Sequence, residues 1–215
     1  MLMNMLISEN LDRSIRVLLN KRSLTVRELA KEARISLGMA SKIANMLENT
    51  GYVRLRRGRG VQVANWIRML KAWSYTSSIK ELKTLQFMAA ERPQYIIKKI
   101  AEIANKNNLR YAFTLLSATE IVAPYVSPNE THLYILESQK KEWEIVLKKE
   151  NIFPAEKGNV VCFMADENRF YGAIAANGIN IISIPQLYAD LSSSGGRMEE
   201  AAEELLKMMK SDKNV

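Results

Sequence analysis

The stretch Thr25–Val63, TVRELAKEARISLGMASKIANMLENTGYVRLRRGRGVQV, decides the fold of the N-terminal third. Thr25 followed by Glu28 is a capping box, in which hydroxyl and carboxylate each satisfy a backbone amide at a helix start. Val26, Leu29, Ala30 and Ala33 then share one helical face. The spacing predicts a short break at Arg34–Ile35, a new start with Ser36 as N-cap, and a helix to about Asn49. Its buried stripe is Ala40, Ile43, Ala44 and Leu47, and Gly51, tolerant of the left-handed conformation, ends it. Val53 and Leu55 next alternate with Arg54 and Arg56. Val61 and Val63 alternate on the return, and Arg57-Gly58-Arg59-Gly60 makes the turn of a hairpin.

Upstream, Leu11, Ile15, Leu18 and Leu19 recur at helical spacing and predict a first helix of about Leu11–Lys21. Three helices, a close turn between the second and third, then a two-stranded ribbon describe a winged helix-turn-helix. The run Ile35-Ser36-Leu37-Gly38-Met39-Ala40-Ser41-Lys42-Ile43, continuing to Leu47-Glu48-Asn49-Thr50-Gly51-Tyr52-Val53, resembles the recognition helix of bacterial and archaeal transcriptional regulators and its exit into the wing. The resemblance spans about residues 10–64. A helix fits the DNA major groove, and its N-terminal, outward side chains reach base edges. Here that face presents Ser36, Gly38, Met39, Ser41, Lys42 and Asn45. Ser36 and Gly38 would let the backbone approach a phosphate. Arg54, Arg56, Arg57 and Arg59 on the wing suit phosphate or a narrow minor groove. The bland alternative keeps Ser36 as a cap only and the arginines as solvated surface.

The distribution of charge favours the first reading. Of the 215 residues, the first 75 carry fourteen Lys and Arg against five Asp and Glu. The rest carry seventeen against eighteen, so the formal excess of +8 arises entirely in the first third. A basic domain beside a near-neutral one predicts a polyanion partner met by the N-terminal part. One cysteine, Cys162, makes no intramolecular disulfide, and one histidine, His132, anchors no His/Cys metal cage. No apolar run approaches the roughly 20 residues of a membrane span. Met1–Leu11 lacks a basic n-region and a small-residue cleavage site. The expectation is a cytoplasmic protein without metal or cofactor and with no membrane partner.

Asn65 is placed to cap a short helix with Trp66, Met69, Leu70 and Trp73 on one face, packing on the winged domain or on a neighbouring subunit. The linker-like Ser74–Ser78 sets the expected domains: 1–73 with the winged helix-turn-helix and connector helix, 74–78 as linker, 79–215 as an α/β (α+β) domain. In that domain Thr84–Ala89, Tyr111–Leu116, Thr131–Glu137, Val160–Ala165 and Ile179–Ile184 read as strands. Helices are predicted from Pro93 to about Asn107, from Ser117 to near Pro124, over Gln139–Lys149 and Pro185–Leu191, and as a closing amphipathic helix around Met198–Met209. Asp190 and Arg197 are expected to pair across Gly195-Gly196. Cys162 and His132 are expected as a buried hydrophobe and a strand-face residue.

Tyr111-Ala112-Phe113-Thr114-Leu115-Leu116-Ser117-Ala118 resembles the "YALTGLSA" segment of a family of winged-helix regulators. Pro185-Gln186-Leu187-Tyr188-Ala189-Asp190-Leu191, with Gly196-Arg197 and Glu200-Ala201-Ala202, resembles that family's "QLYxDL…GR…EAA" tail. The family is the antitoxin of abortive-infection (type IV) toxin–antitoxin systems, with its archaeal relatives. The resemblance implies a DNA-binding autorepressor whose second domain is a non-catalytic relative of the nucleotidyltransferase fold. Leu115-Leu116 replaces the family's glycine step. Two-metal phosphoryl chemistry needs paired carboxylates on the strand after the turn, and His132 and Tyr134 stand there instead. The leading expectation is therefore a sequence-specific DNA-binding regulator, a homodimer on double-stranded DNA. The alternatives are a protein-interaction antitoxin module that restrains a toxin partner, and a nucleotidyltransferase-like enzyme.

Overall fold

The computed structural model describes residues 8–56, 60–124 and 127–211 and mixes helix with sheet. The chain divides into two compact units, Met1–Ser77 and Ser78–Val215.

The first unit runs α1 (Glu9–Lys21), β1 (Ser23–Leu24), α2 (Val26–Glu32), α3 (Leu37–Asn49), β2 (Val53–Arg56), β3 (Gly60–Val63) and α4 (Trp66–Ser74). Both bonds of the predicted capping box form. Glu28 N–H donates to Thr25 Oγ1 at 3.1 Å, and Thr25 N–H donates to Glu28 Oε2 at 2.7 Å. Leu18, Leu29, Ala40, Leu47, Val61 and Leu70 lie within the core, where 3.6-residue and two-residue periodicities meet. The hairpin pairs Val53 with Val63 and Arg56 with Gly60, and β1, which the sequence did not suggest, adds to it antiparallel in the order β1-β3-β2.

The two tryptophans of α4 fasten it to α1 of the same unit. Trp66 Nε1 donates to the Leu19 carbonyl at 2.9 Å, and Trp73 Nε1 donates to Asp12 Oδ1 at 2.8 Å. Asp12 also holds the buried Arg16 at 3.1 Å, whose guanidinium lies 4.9 Å from the Trp73 ring centre. Arg22 sits 3.6 Å above the Trp66 ring, and burial lowers its guanidinium to about 10.

The second unit is a mixed sheet flanked by helices. Its elements are β4 (Thr84–Met88), α5 (Pro93–Lys106), β5 (Tyr111–Phe113), α6 (Leu115–Val122), β6 (Thr131–Leu136), a 3-10 turn at Glu137–Gln139, α7 (Lys140–Lys149), β7 (Phe153–Pro154), β8 (Val160–Ala165), β9 (Ile174–Ala176), β10 (Ile179–Ile181), α8 (Ile184–Ser194) and α9 (Arg197–Ser211). Among the described residues the strand order is β7-β4-β8-β6-β5-β10-β9, with β6 parallel to β8 and β5 parallel to β10. Thr131–Ile135 are buried on both sides because β6 is internal to the sheet, so its residues do not alternate between core and solvent.

Three local expectations are corrected. The strand from Tyr111 stops at Phe113, because Leu115 takes a left-handed φ of 51° and starts α6. Ser117 is therefore inside α6 rather than its cap. Its hydroxyl accepts from His132 N–H at 2.9 Å and donates to the Glu130 carbonyl, tying the helix to β6. The strand from Ile179 ends at Ile181, and Ser183 caps α8 instead of extending it.

Candidate nucleic-acid interface

The sequence presents α3 as an amphipathic helix, and its two faces separate cleanly. Ala40, Ile43, Ala44 and Leu47 are buried, while Ser36, Gly38, Ser41, Lys42 and Asn45 are exposed and Met39 is half-buried. Ser36 caps the helix by accepting from Met39 N–H at 3.2 Å. The first turn of α3 carries no acidic residue, so the positive end of its dipole is not offset locally, unlike α1 with Glu9 and Asp12. Leu37, which the sequence reading did not single out, is also exposed on this turn.

Arg54 and Arg56 lie exposed on β2. Arg57 and Arg59, with Gly58, fall outside the described residues. A hydrogen bond joins the hairpin to α3: Leu55 N–H donates to Glu48 Oε1 at 2.8 Å. Glu48 sits in the last turn of α3, so the outward face of the helix and the arginine-bearing strand belong to one hydrogen-bonded body. Among the described residues, Lys42, Arg54 and Arg56 have no carboxylate partner. Exposed, uncompensated cations of this kind can meet a polyanion without first breaking an internal ion pair.

The second unit buries its polar groups. Asp190, about two turns into α8, is fully buried and does not pair with Arg197 as the sequence suggested. Its Oδ2 accepts from Thr114 Oγ1 at 2.6 Å and from Tyr134 OH at 2.8 Å, and its Oδ1 accepts from Gln186 Nε2 at 2.7 Å. Burial raises its carboxyl above the ordinary range, against the opposing pull of Arg169 and the three donors. Arg197 is exposed.

Cys162 is buried in β8, and burial pushes its thiol up, as suits a small core side chain. His132 stacks on Phe163 with ring centres 6.1 Å apart, and burial drives it down to about 4 despite Glu130 Oε2 at 3.4 Å. The neutral imidazole is thus the folded form. Its contribution to stability is complete above the unfolded value of about 6.5 and is lost as pH falls through about 4, on the order of 3 kcal/mol. Urea unfolding is expected to show most of that loss by pH 4.5, and His132→Phe should flatten the acid limb. An unchanged limb would place its origin elsewhere.

Among the described residues, no group of three His, Cys, Asp or Glu side chains is arranged to hold a metal ion. Among the same residues, no helix is long and apolar enough to cross a membrane.

Residues 62–211 match the family described as "Transcriptional regulator, AbiEi antitoxin, Type IV TA system". The match begins within β3 and runs to the end of α9, so it takes in α4 and the described elements of the second unit, with α1–α3 upstream of it. No curated protein and no solved structure matches the chain. With well over half its length matched, the chain belongs to the AbiEi antitoxin family, the transcriptional regulators of type IV toxin–antitoxin systems.

Proposed function

We propose that the first unit is a winged helix-turn-helix that binds double-stranded DNA in a sequence-specific manner, with α3 in the major groove and the β2–β3 hairpin as its wing. The observation that carries this reading is the set of exposed cations on α3 and β2 that have no carboxylate partner among the described residues, tied into one body through Glu48. On this reading Lys42 and Asn45 meet base edges, Ser41 a base or phosphate, and Ser36 and Gly38 allow close approach of the backbone. Arg54 and Arg56, together with Arg57 and Arg59 that follow in the sequence, would supply phosphate or minor-groove contacts. The chain would act as a homodimer on a two-fold operator and repress its own transcription, in the cytoplasm and without metal or cofactor.

The second unit, on this reading, is a non-catalytic relative of the nucleotidyltransferase fold that serves assembly or grips a toxin protein. The antitoxin description of the family, which matches this part of the chain, favours a protein partner. It does so over an enzyme, since His132 and Tyr134 occupy β6 where paired carboxylates would be required. Co-purification of the full chain with a toxin encoded beside it supports the partner role, and failure to associate counts against it.

The DNA reading is tested by the salt dependence of binding. Replacing Arg56, Arg57 and Arg59 with Ala is expected to weaken binding to all sequences. It should also lower the log–log salt slope by about one unit per lost phosphate contact. An unchanged slope would remove the wing from the interface. Lys42→Ala or Asn45→Ala should relax preference at particular base pairs, whereas uniform loss would leave these side chains a positioning role only.

A further inference from the structure

Leu37 is the first residue of α3 and is 52% exposed. The unit had room for leucines inside: Leu11, Leu18, Leu19, Leu29, Leu47 and Leu70 are all buried. Leu37 takes no part in capping, which Ser36 performs. Its position is one turn before Ser41 and two before Asn45, so it heads the stripe that faces outward. Beside it, the space that a side chain on Gly38 would occupy is open, with nothing within 4 Å. Among the described residues Leu37 is the one large apolar side chain of α3 that is exposed, its outward neighbours Ser41, Lys42 and Asn45 being polar or cationic, which argues against an extended apolar protein surface as its partner.

The major-groove edges of the four base pairs are donors and acceptors with one apolar exception, the 5-methyl group of thymine. We infer that Leu37 reads that methyl group, so that the operator carries a thymine opposite the tip of α3. The inference rests on the DNA-binding role proposed above and adds a determinant to it. Lys42 and Asn45 would distinguish bases by hydrogen bonds, and Leu37 by the water it displaces from one methyl group. Being exposed at a helix start, it tolerates alanine without loss of fold.

The test uses the full chain to enrich a binding site from random duplex DNA. Each thymine of that site is then replaced in turn by deoxyuridine, which removes the methyl group and keeps the base pair. One thymine per half-site is expected to lose roughly fourfold in affinity on that exchange, the effect of one buried methyl group. With Leu37→Ala, which removes the contact from both half-sites of a dimer, the parent site should bind roughly sixteenfold more weakly and the exchange should have no further effect. If no thymine responds in the parent protein, or if Leu37→Ala responds equally, the assignment of Leu37 falls while DNA binding stands. A change of oligomeric state in Leu37→Ala, with methyl sensitivity intact, assigns the residue to a subunit contact and overturns the inference. If no duplex is enriched at all, the DNA-binding role itself fails, and the inference with it.

Discussion

Gly60→Ala is expected to destabilise the first unit by about 3–5 kcal/mol, the sum of a left-handed backbone and a collision with main chain. Gly60 has φ +80°, and a Cβ there would lie 2.4 Å from the Leu24 carbonyl oxygen and 2.7 Å from Thr25 Cα. Neither neighbour can yield. Leu24 belongs to β1, paired to β3, and Thr25 is the cap of α2 with both of its reciprocal bonds in place. Gly51→Ala supplies the contrast. It has a similar φ of +75°, but its nearest neighbour is the flexible tip of Arg68 at 3.6 Å. Only the conformational term remains there, about 1 kcal/mol. Chemical denaturation of the two variants separates the terms, and equal losses would show that the contact with β1 is not rigid.

Asp190→Ala should cost the second unit about 3–5 kcal/mol near neutral pH, because three buried donors lose their shared acceptor together. The loss is partly offset, since removing Asp190 also removes a carboxylate that is costly to keep buried. Asp190→Asn separates the two effects. Its amide oxygen can still accept from Thr114 and Tyr134, and Gln186 can turn its own amide to match, leaving a loss of about 1–2 kcal/mol. The pH dependence has the opposite sense to that of His132. A carboxyl held above its unfolded value contributes most below about 3.8, and that contribution declines as pH rises through the elevated folded value. Asp190→Asn should remove this decline. Retention of the parent pH profile would mean that Asp190 is not its source.

What was legible in the sequence was what neighbouring residues decide among themselves. The Thr25–Glu28 box, the Ser36 cap, the buried stripe of α3 and the alternation of the hairpin all depend on partners within a few positions. The strand β1 was not legible: Ser23–Leu24 carries no pattern of its own and becomes a strand only by pairing with β3. The partner of the α4 tryptophans stayed open between the same domain and another subunit, because the Trp66 acceptor lies 47 residues back. Asp190 was misread for the same reason. Arg197 is near in sequence, whereas the true partners Thr114 and Tyr134 stand 76 and 56 residues away.

Leu115 shows a subtler case. Leu115-Leu116 stands where the family has its glycine step, and the buried Leu115 holds the left-handed conformation that glycine would take freely. In the candidate interface, helical periodicity alone brought Ser41, Lys42 and Asn45 to the outer face. Leu37 was passed over because residue type assigns a leucine to the core, and only its exposure in the fold separates it from its buried counterparts.

The bond from Leu55 to Glu48 has a further meaning for DNA binding. With the end of α3 and the start of the ribbon held together, neither can be repositioned alone to suit a poorly shaped target. The unit would work as a calliper, its two jaws set at a constant gap and responsive to helical pitch and groove width as well as to base identity. Duplexes with the same bases under the jaws, but with stiffer or narrower intervening steps, would then be rejected for their shape.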